Sequence, residues 1–228
     1  MKQWIIVPFL LAAVLTGFSQ QKQRKIVDST YRLLIQHPHA DTQRLFLLNR
    51  YARIIRHDSA GKAMELADEA LALSRQFRAP GMTAEILSTK SMIYSTRNQY
   101  DSCILYGDSA NYLFEKYNML PQHTLSLNLM AENYYSKGEL SMAIDIFHRV
   151  IGVAQRAGMR KPYGVAYANI GNIYWALELF PEAIENFEKG LDVFREINDS
   201  VLIGATTINI GVSYTWLGNL QAAEASFH

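Results

Sequence analysis

The stretch Tyr167-Ala-Asn-Ile-Gly-Asn-Ile-Tyr174, followed by Pro181-Glu-Ala-Ile-Glu-Asn-Phe-Glu-Lys-Gly-Leu-Asp-Val-Phe194, decides how the rest of the chain is read. In its second half, apolar or small residues fall at 183, 184, 187, 190, 191 and 194. That spacing marks one face of an α-helix. Pro181 suits a first helical turn, where a missing N–H costs nothing. The residues before it predict another helix, from about Tyr163 to Leu177. Gly171 and Ala183 are small enough to let the two helices approach closely, while Tyr174 and Phe187 are large enough to fill the gap to a neighbouring pair.

The same pattern recurs along the chain. Tyrosines stand at Tyr94, Tyr134, Tyr174 and Tyr214, each 40 residues after the last. Nine residues beyond each comes a small residue, at Cys103, Ala143, Ala183 and Ala223, and Ala63 continues the series backwards. Ala67, Gly107, Phe147, Phe187 and Phe227 form a second slot, and Ala70, Ala110, Val150 and Gly190 a third. Turns between paired helices are expected at Asp58, Asn98, Gly138, Glu178 and Gly218, where Gly and Asn tolerate the left-handed conformation that ends a helix. No stretch shows the two-residue alternation of a strand. One helix pair cannot bury both its faces, so pairs must stack. The fold class is therefore all-α, an α-solenoid of antiparallel helix pairs with units at 44–83, 84–123, 124–163 and 164–203 and a partial unit at 204–228.

This order of small and aromatic residues resembles the tetratricopeptide repeat. Tyr167, Ile170, Gly171 and Tyr174, then Ala183, Phe187 and Gly190, follow its signature in part, as do Thr207, Ile210, Gly211, Tyr214, Ala223 and Phe227. Arg195 stands where the signature has proline, and the first unit departs with Ile54 and Ala67 in the aromatic slots. The resemblance covers about residues 44–228 and implies a right-handed superhelix with a concave groove lined by the first helix of each pair. By position, Asn128, Glu132, Tyr135, Ala168, Asn172, Trp175, Ile208 and Trp216 line that groove. Its asparagines would hydrogen-bond a peptide backbone, and its aromatics offer rigid contact area. The lysines of the family's carboxylate-binding variant are missing beside Asn169, Asn172 and Asn209, so that activity is not expected. The segment Asp41–Asn49, followed by Lys62, Ala63, Ala67 and Ala70-Leu71, is also similar to the exported N-terminal repeat regions of bacterial sensor histidine kinases and helix-turn-helix regulators. The expected function is thus a non-enzymatic scaffold for a protein or peptide, the sensory or interaction region of a longer regulator. The alternative is a stand-alone envelope adaptor for assembly or polysaccharide handling.

The ends carry their own information. Met1-Lys2, an apolar run over Trp4–Leu15, then Gly17 and Ser19 at signal-peptidase spacing, form a secretory leader over 1–19, cleaved near Ser19. The apolar run is too short for a bilayer, which needs roughly 20 residues; an uncleaved anchor is the alternative. A periplasmic location follows. Residues 20–43 are a linking segment with a short helix, Ile26 to Gln36, ended by Pro38. No later segment is apolar enough to enter a membrane. The last unit has no polar cap, which makes its end a surface for self-association or for continuation into a longer protein.

Composition limits the chemistry. With 22 basic and 21 acidic residues, the net charge of +1 offers nothing to nucleic acid. One cysteine, Cys103, forbids an intrachain disulfide and occupies a small core slot. His37-Pro38-His39 lacks a fixed carboxylate partner and reads as a polar turn, with no metal expected. His57-Asp58 sits at an inter-helix turn with no nucleophile motif to serve. Glu182 and Glu185 lie on a solvated helix face. No catalytic residue and no cofactor is expected.

Overall fold

The computed structural model describes residues 17–227. The secretory leader expected at 1–19 lies outside the described residues except for its last three. Eleven helices follow one another among the described residues, with no strand. They are α1 (Gly17–Gln36), α2 (Thr42–Ile55), α3 (Ala60–Gln76), α4 (Pro80–Thr96), α5 (Tyr100–Lys116), α6 (Leu120–Lys137), α7 (Leu140–Arg156), α8 (Arg160–Ala176), α9 (Phe180–Glu196), α10 (Ser200–Trp216) and α11 (Leu220–Phe227). The chain divides into two compact units, one ending at Lys137 and the other running from Gly138. Each is a stack of antiparallel helices in which every element packs on its sequence neighbour.

One backbone device joins the helices. Arg78, Asn98, Asn118, Glu178 and Asn198, with Gly138, Gly158 and Gly218, all have positive φ, and they stand 20 residues apart. Around Asn98, the Gln99 N–H donates to the Tyr94 carbonyl at 3.0 Å and the Asn98 N–H to the Ser95 carbonyl at 3.0 Å. This is the Schellman termination, which satisfies the last carbonyls of a helix. The Gln99 carbonyl then accepts from the Cys103 N–H at 2.9 Å, so the residue that closes one helix opens the next. The same long bond runs from Ala79 to Ser74, Met119 to Phe114, Met159 to Ala154, Leu179 to Tyr174, Asp199 to Phe194 and Asn219 to Tyr214. Turns between pairs are therefore built like turns within pairs. Asp58 is the exception, and its turn has no positive φ.

The side-chain register is 40 residues, and the helix pairs open at 42, 80, 120, 160 and 200. Each unit cut at 84, 124, 164 or 204 thus begins on the second turn of its first helix. Small residues do permit close approach. A methyl group added at Gly171 would stand 2.7 Å from two ring carbons of Phe187 and 3.1 Å from the Ala183 carbonyl. Phe187 therefore fills the space inside its own pair, and it shares a buried cluster with Leu202 and Ile210 of α10. In the first unit, Leu45, Leu48, Ala63, Ala67, Ile86 and Ile93 are the fully covered centre.

Helix α1 begins at Gly17 rather than at Ile26, and it stands in the register of a second helix: Thr30 and Leu34 are buried, as Ala70 and Ser74 are 40 residues later. Lys90 of α4 is also buried. Its Nζ lies 2.6 Å from Asp68 Oδ1 of α3 and 4.6 Å from the centre of the Tyr106 ring, which stacks on Tyr94 at 5.2 Å. Burial alone would lower the Lys90 pKa, but its bonds to Asp68 and Tyr106 outweigh that and hold it above the ordinary value.

Candidate functional site

Three of the residues expected to line a groove sit on α6 in the first unit. Asn128, Glu132 and Tyr135 follow one another at helical spacing on one face, all half-buried. The Asn128 amide donates to Glu132 Oε1 at 2.7 Å. Burial nevertheless dominates and pushes the Glu132 carboxyl above the ordinary carboxylate range, while the Asn128 bond opposes it. Burial likewise raises the Tyr135 phenol. This face offers a carboxyl that gives up its charge readily, beside a phenol that keeps its proton.

The other three lie in the second unit. Asn172 of α8 is buried, and its Oδ1 accepts from Asn209 Nδ2 of α10 at 3.4 Å, a bond that ties the first helices of two successive pairs together. Trp175 and Trp216 come together through a residue the sequence did not single out. Phe180, the first residue of α9, has its ring 6.3 Å from Trp175, edge to face, and 6.1 Å from Trp216, stacked at 15°. Such offset and edge geometries are the favourable ones for aromatic rings. Trp216 remains 63% exposed, far more than an indole needs when it serves only to pack. Phe180 was hidden because Phe180-Pro181 reads as a helix start. Its signal was position: it is one of the first residues after a turn that also carries Trp175 at its other end.

One expected groove residue is placed elsewhere. Ala168 is buried and faces the paired helix, 3.6 Å from where a Gly190 methyl would stand. Ile208 occupies the same slot 40 residues later and is 55% exposed. Ala168 was assigned by counting along the helix without knowing which side its own partner covers.

Two further titratable groups are shifted by burial. Cys103 is buried, its Sγ 3.2 Å from Ser91 Oγ, and burial pushes its thiol up. His57 is lowered by burial and by Arg56. Among the described residues no group of three metal-ligating side chains converges, and no helix is long and apolar enough to cross a membrane. The first unit also holds a hollow between α1, α2 and α4 that no sequence motif announced.

A family model, the tetratricopeptide repeat, matches residues 122–196. No curated protein sequence matches the chain. Solved structures do. The chain is similar to a signal-transduction ATPase with a tetratricopeptide-repeat sensor from Pyrococcus horikoshii, with 17% identity, a TM-score of 0.80, and coverage of 90% of this chain and 33% of that one. It is similar to BtubC from P. vanneervenii, with 18% identity, a TM-score of 0.73, and coverage of 92% and 88%. A Rap protein complexed with Competence and Sporulation Factor matches with 15% identity, a TM-score of 0.64, and coverage of 93% and 58%. The chain thus spans a third of the ATPase and little over half of the Rap protein.

Proposed function

We propose that this chain, whose residues 122–196 match the tetratricopeptide repeat, is an exported, non-enzymatic scaffold that binds a protein or peptide, as the sensory or interaction region of a longer regulator. The observation that carries this reading is the Trp175–Phe180–Trp216 cluster, a rigid aromatic surface left open on one side. Exposed aromatic anchors of this kind supply most of the energy of many interfaces. The reading is also supported by the Pyrococcus horikoshii ATPase, whose repeats are its sensor, and by the Rap protein, which is complexed with a factor. Export rests on the leader at 1–19. Val201, Ile208 and Leu220, all more than half exposed, are the surface through which copies would associate.

The test compares wild type with Trp216→Ala and Trp175→Ala in capture from an envelope extract, with circular dichroism as the folding control. Loss of one captured protein in both folded variants is expected. An unchanged set of captured proteins would sink the aromatic surface as the binding site. Mass spectrometry of the periplasmic fraction should find a chain beginning near Gln20; a cytoplasmic chain that keeps Met1 would remove export. Light scattering that shows only monomer at high concentration would remove association.

A further inference from the structure

The hollow in the first unit has a volume of about 330 Å³, within the size range of small-molecule sites. Ile26 of α1 with Phe46 and Ile54 of α2 form its apolar wall. Asn49, Arg50 and Arg53 of α2 form a polar wall, and Glu85 of α4, whose Oε1 accepts from Gln122 Nε2 at 3.5 Å, also lines the hollow. Arg50 and Arg53 are three apart on one helix face, close enough for both guanidiniums to grip a single carboxylate. The Asn49 oxygen already accepts from the Thr89 hydroxyl at 2.7 Å, which leaves its amide hydrogens as a further donor.

The repeat itself shows what Arg50 lacks. Forty residues later the same slot holds Lys90, which is satisfied by Asp68 at 2.6 Å. Asp28 stands forty residues before Asp68, so the sequence repeats both members of the pair. The first copy of that pair is nevertheless not made. Among the described residues neither Arg50 nor Arg53 has a carboxylate within ion-pair reach. The charge of Asp28 acts instead on Tyr51, whose phenol is raised by burial first and then by Tyr31 and Asp28. Arg50 and Arg53 line the hollow beside a large apolar ring, Phe46, still 49% exposed.

We propose that this hollow binds a small carboxylate of the free apolar amino-acid type, held by its carboxylate across Arg50 and Arg53, by its side chain against Ile26, Phe46 and Ile54, and by its ammonium toward Glu85. The volume admits one such molecule and no folded partner, so this site is separate from the aromatic surface and does not rest on it.

Isothermal titration of the full chain at low salt tests this with three probes: L-leucine, leucinamide, which lacks the carboxylate, and N-acetyl-leucine, which lacks the ammonium. Leucine is expected to bind, leucinamide at least about tenfold and N-acetyl-leucine at least about threefold more weakly, by loss of one charge-assisted contact each. Arg50→Gln and Arg53→Gln should each weaken leucine about tenfold while the helical circular dichroism stays intact. Leucinamide binding as tightly as leucine, unchanged affinity in the arginine variants, or no leucine binding at millimolar concentration would each overturn the proposal. Leucine binding that appears only in Asp28→Asn would also overturn it, by showing that Asp28 already fills the Arg50 slot in solution.

Discussion

Gly171→Ala sets two opposing effects against each other, and the structure decides between them. Within a helix, alanine is favoured over glycine by about 0.5–1 kcal/mol. At position 171 the new methyl would meet two carbons of the Phe187 ring at 2.7 Å. Non-bonded carbons rest at about 3.5–4.0 Å, so the ring must retreat by roughly 1 Å. Phe187 is 1% exposed and packed among Ala183, Ile184 and Leu191, and the backbone carbonyl of Ala183 lies 3.1 Å from the same methyl, so retreat is blocked on a second side. Overpacking of this kind costs about 1–3 kcal/mol, which exceeds the helix gain and leaves a net loss of about 1–2 kcal/mol. Gly152 is the control. It lies inside α7 with nothing within 4 Å of its added methyl, so Gly152→Ala should stabilise by about 0.5–1 kcal/mol. Urea denaturation followed by circular dichroism at constant m-value measures both. A Gly171→Ala chain as stable as Gly152→Ala would refute the close-approach reasoning on which the repeat register rests.

Three further outcomes are expected. Glu178→Gly should stabilise by about 0.5–1 kcal/mol, because a side chain at φ +62 is strained by roughly 1–2 kcal/mol and glycine gives back part of that in chain entropy; a loss in thermal scans would contradict it. Lys90→Met should cost under about 1.5 kcal/mol and Lys90→Ala about 2–4 kcal/mol, since Asp68 is 56% exposed and stays hydrated without its partner; equal losses in denaturant titration would show that charge rather than packing governs the site. Glu132 is raised when folded, so its favourable contribution is complete below its unfolded pKa and is lost as pH rises through the folded value. Glu132→Gln, which keeps an oxygen for Asn128, should therefore gain on wild type in that window and hold its advantage at higher pH. A stability difference that stays flat across the same titration would count against it.

The chain shows which parts of such a molecule sequence can disclose. The register of Tyr94, Tyr134, Tyr174 and Tyr214 was legible because packing between neighbours demands the same volume at the same place in every pair. Asn98, Gly138 and Gly218 were legible as turns for a local reason, their tolerance of positive φ. Arg78 carries no such signal, and Glu178 was placed by the 40-residue register alone. They adopt the same conformation because the helices on either side leave no other path. The aromatic surface was half legible: Trp175 and Trp216 stand out as residue types, but their meeting depends on Phe180 from a different helix. Ala168 was misplaced because a helix with partners on several sides has no single inside. The hollow beside Arg50 was illegible for the opposite reason. Its lining residues come from three helices and share no motif, so only the geometry brings them together.

The uniform spacing of the left-handed turns has a consequence for how such a chain can change length. Backbone hydrogen bonding repeats every 20 residues, but side-chain packing repeats every 40. Losing a block of 20 would leave every termination bond intact and put each helix where its partner should be, with Phe187-type side chains facing others of their own kind instead of the Gly171-type clefts that receive them. Such a chain would keep its helical content and lose its cooperativity, whereas a block of 40 would pass unnoticed by both periods. The molecule can be lengthened or shortened only in double steps, as a staircase with alternating treads admits no odd number of stairs.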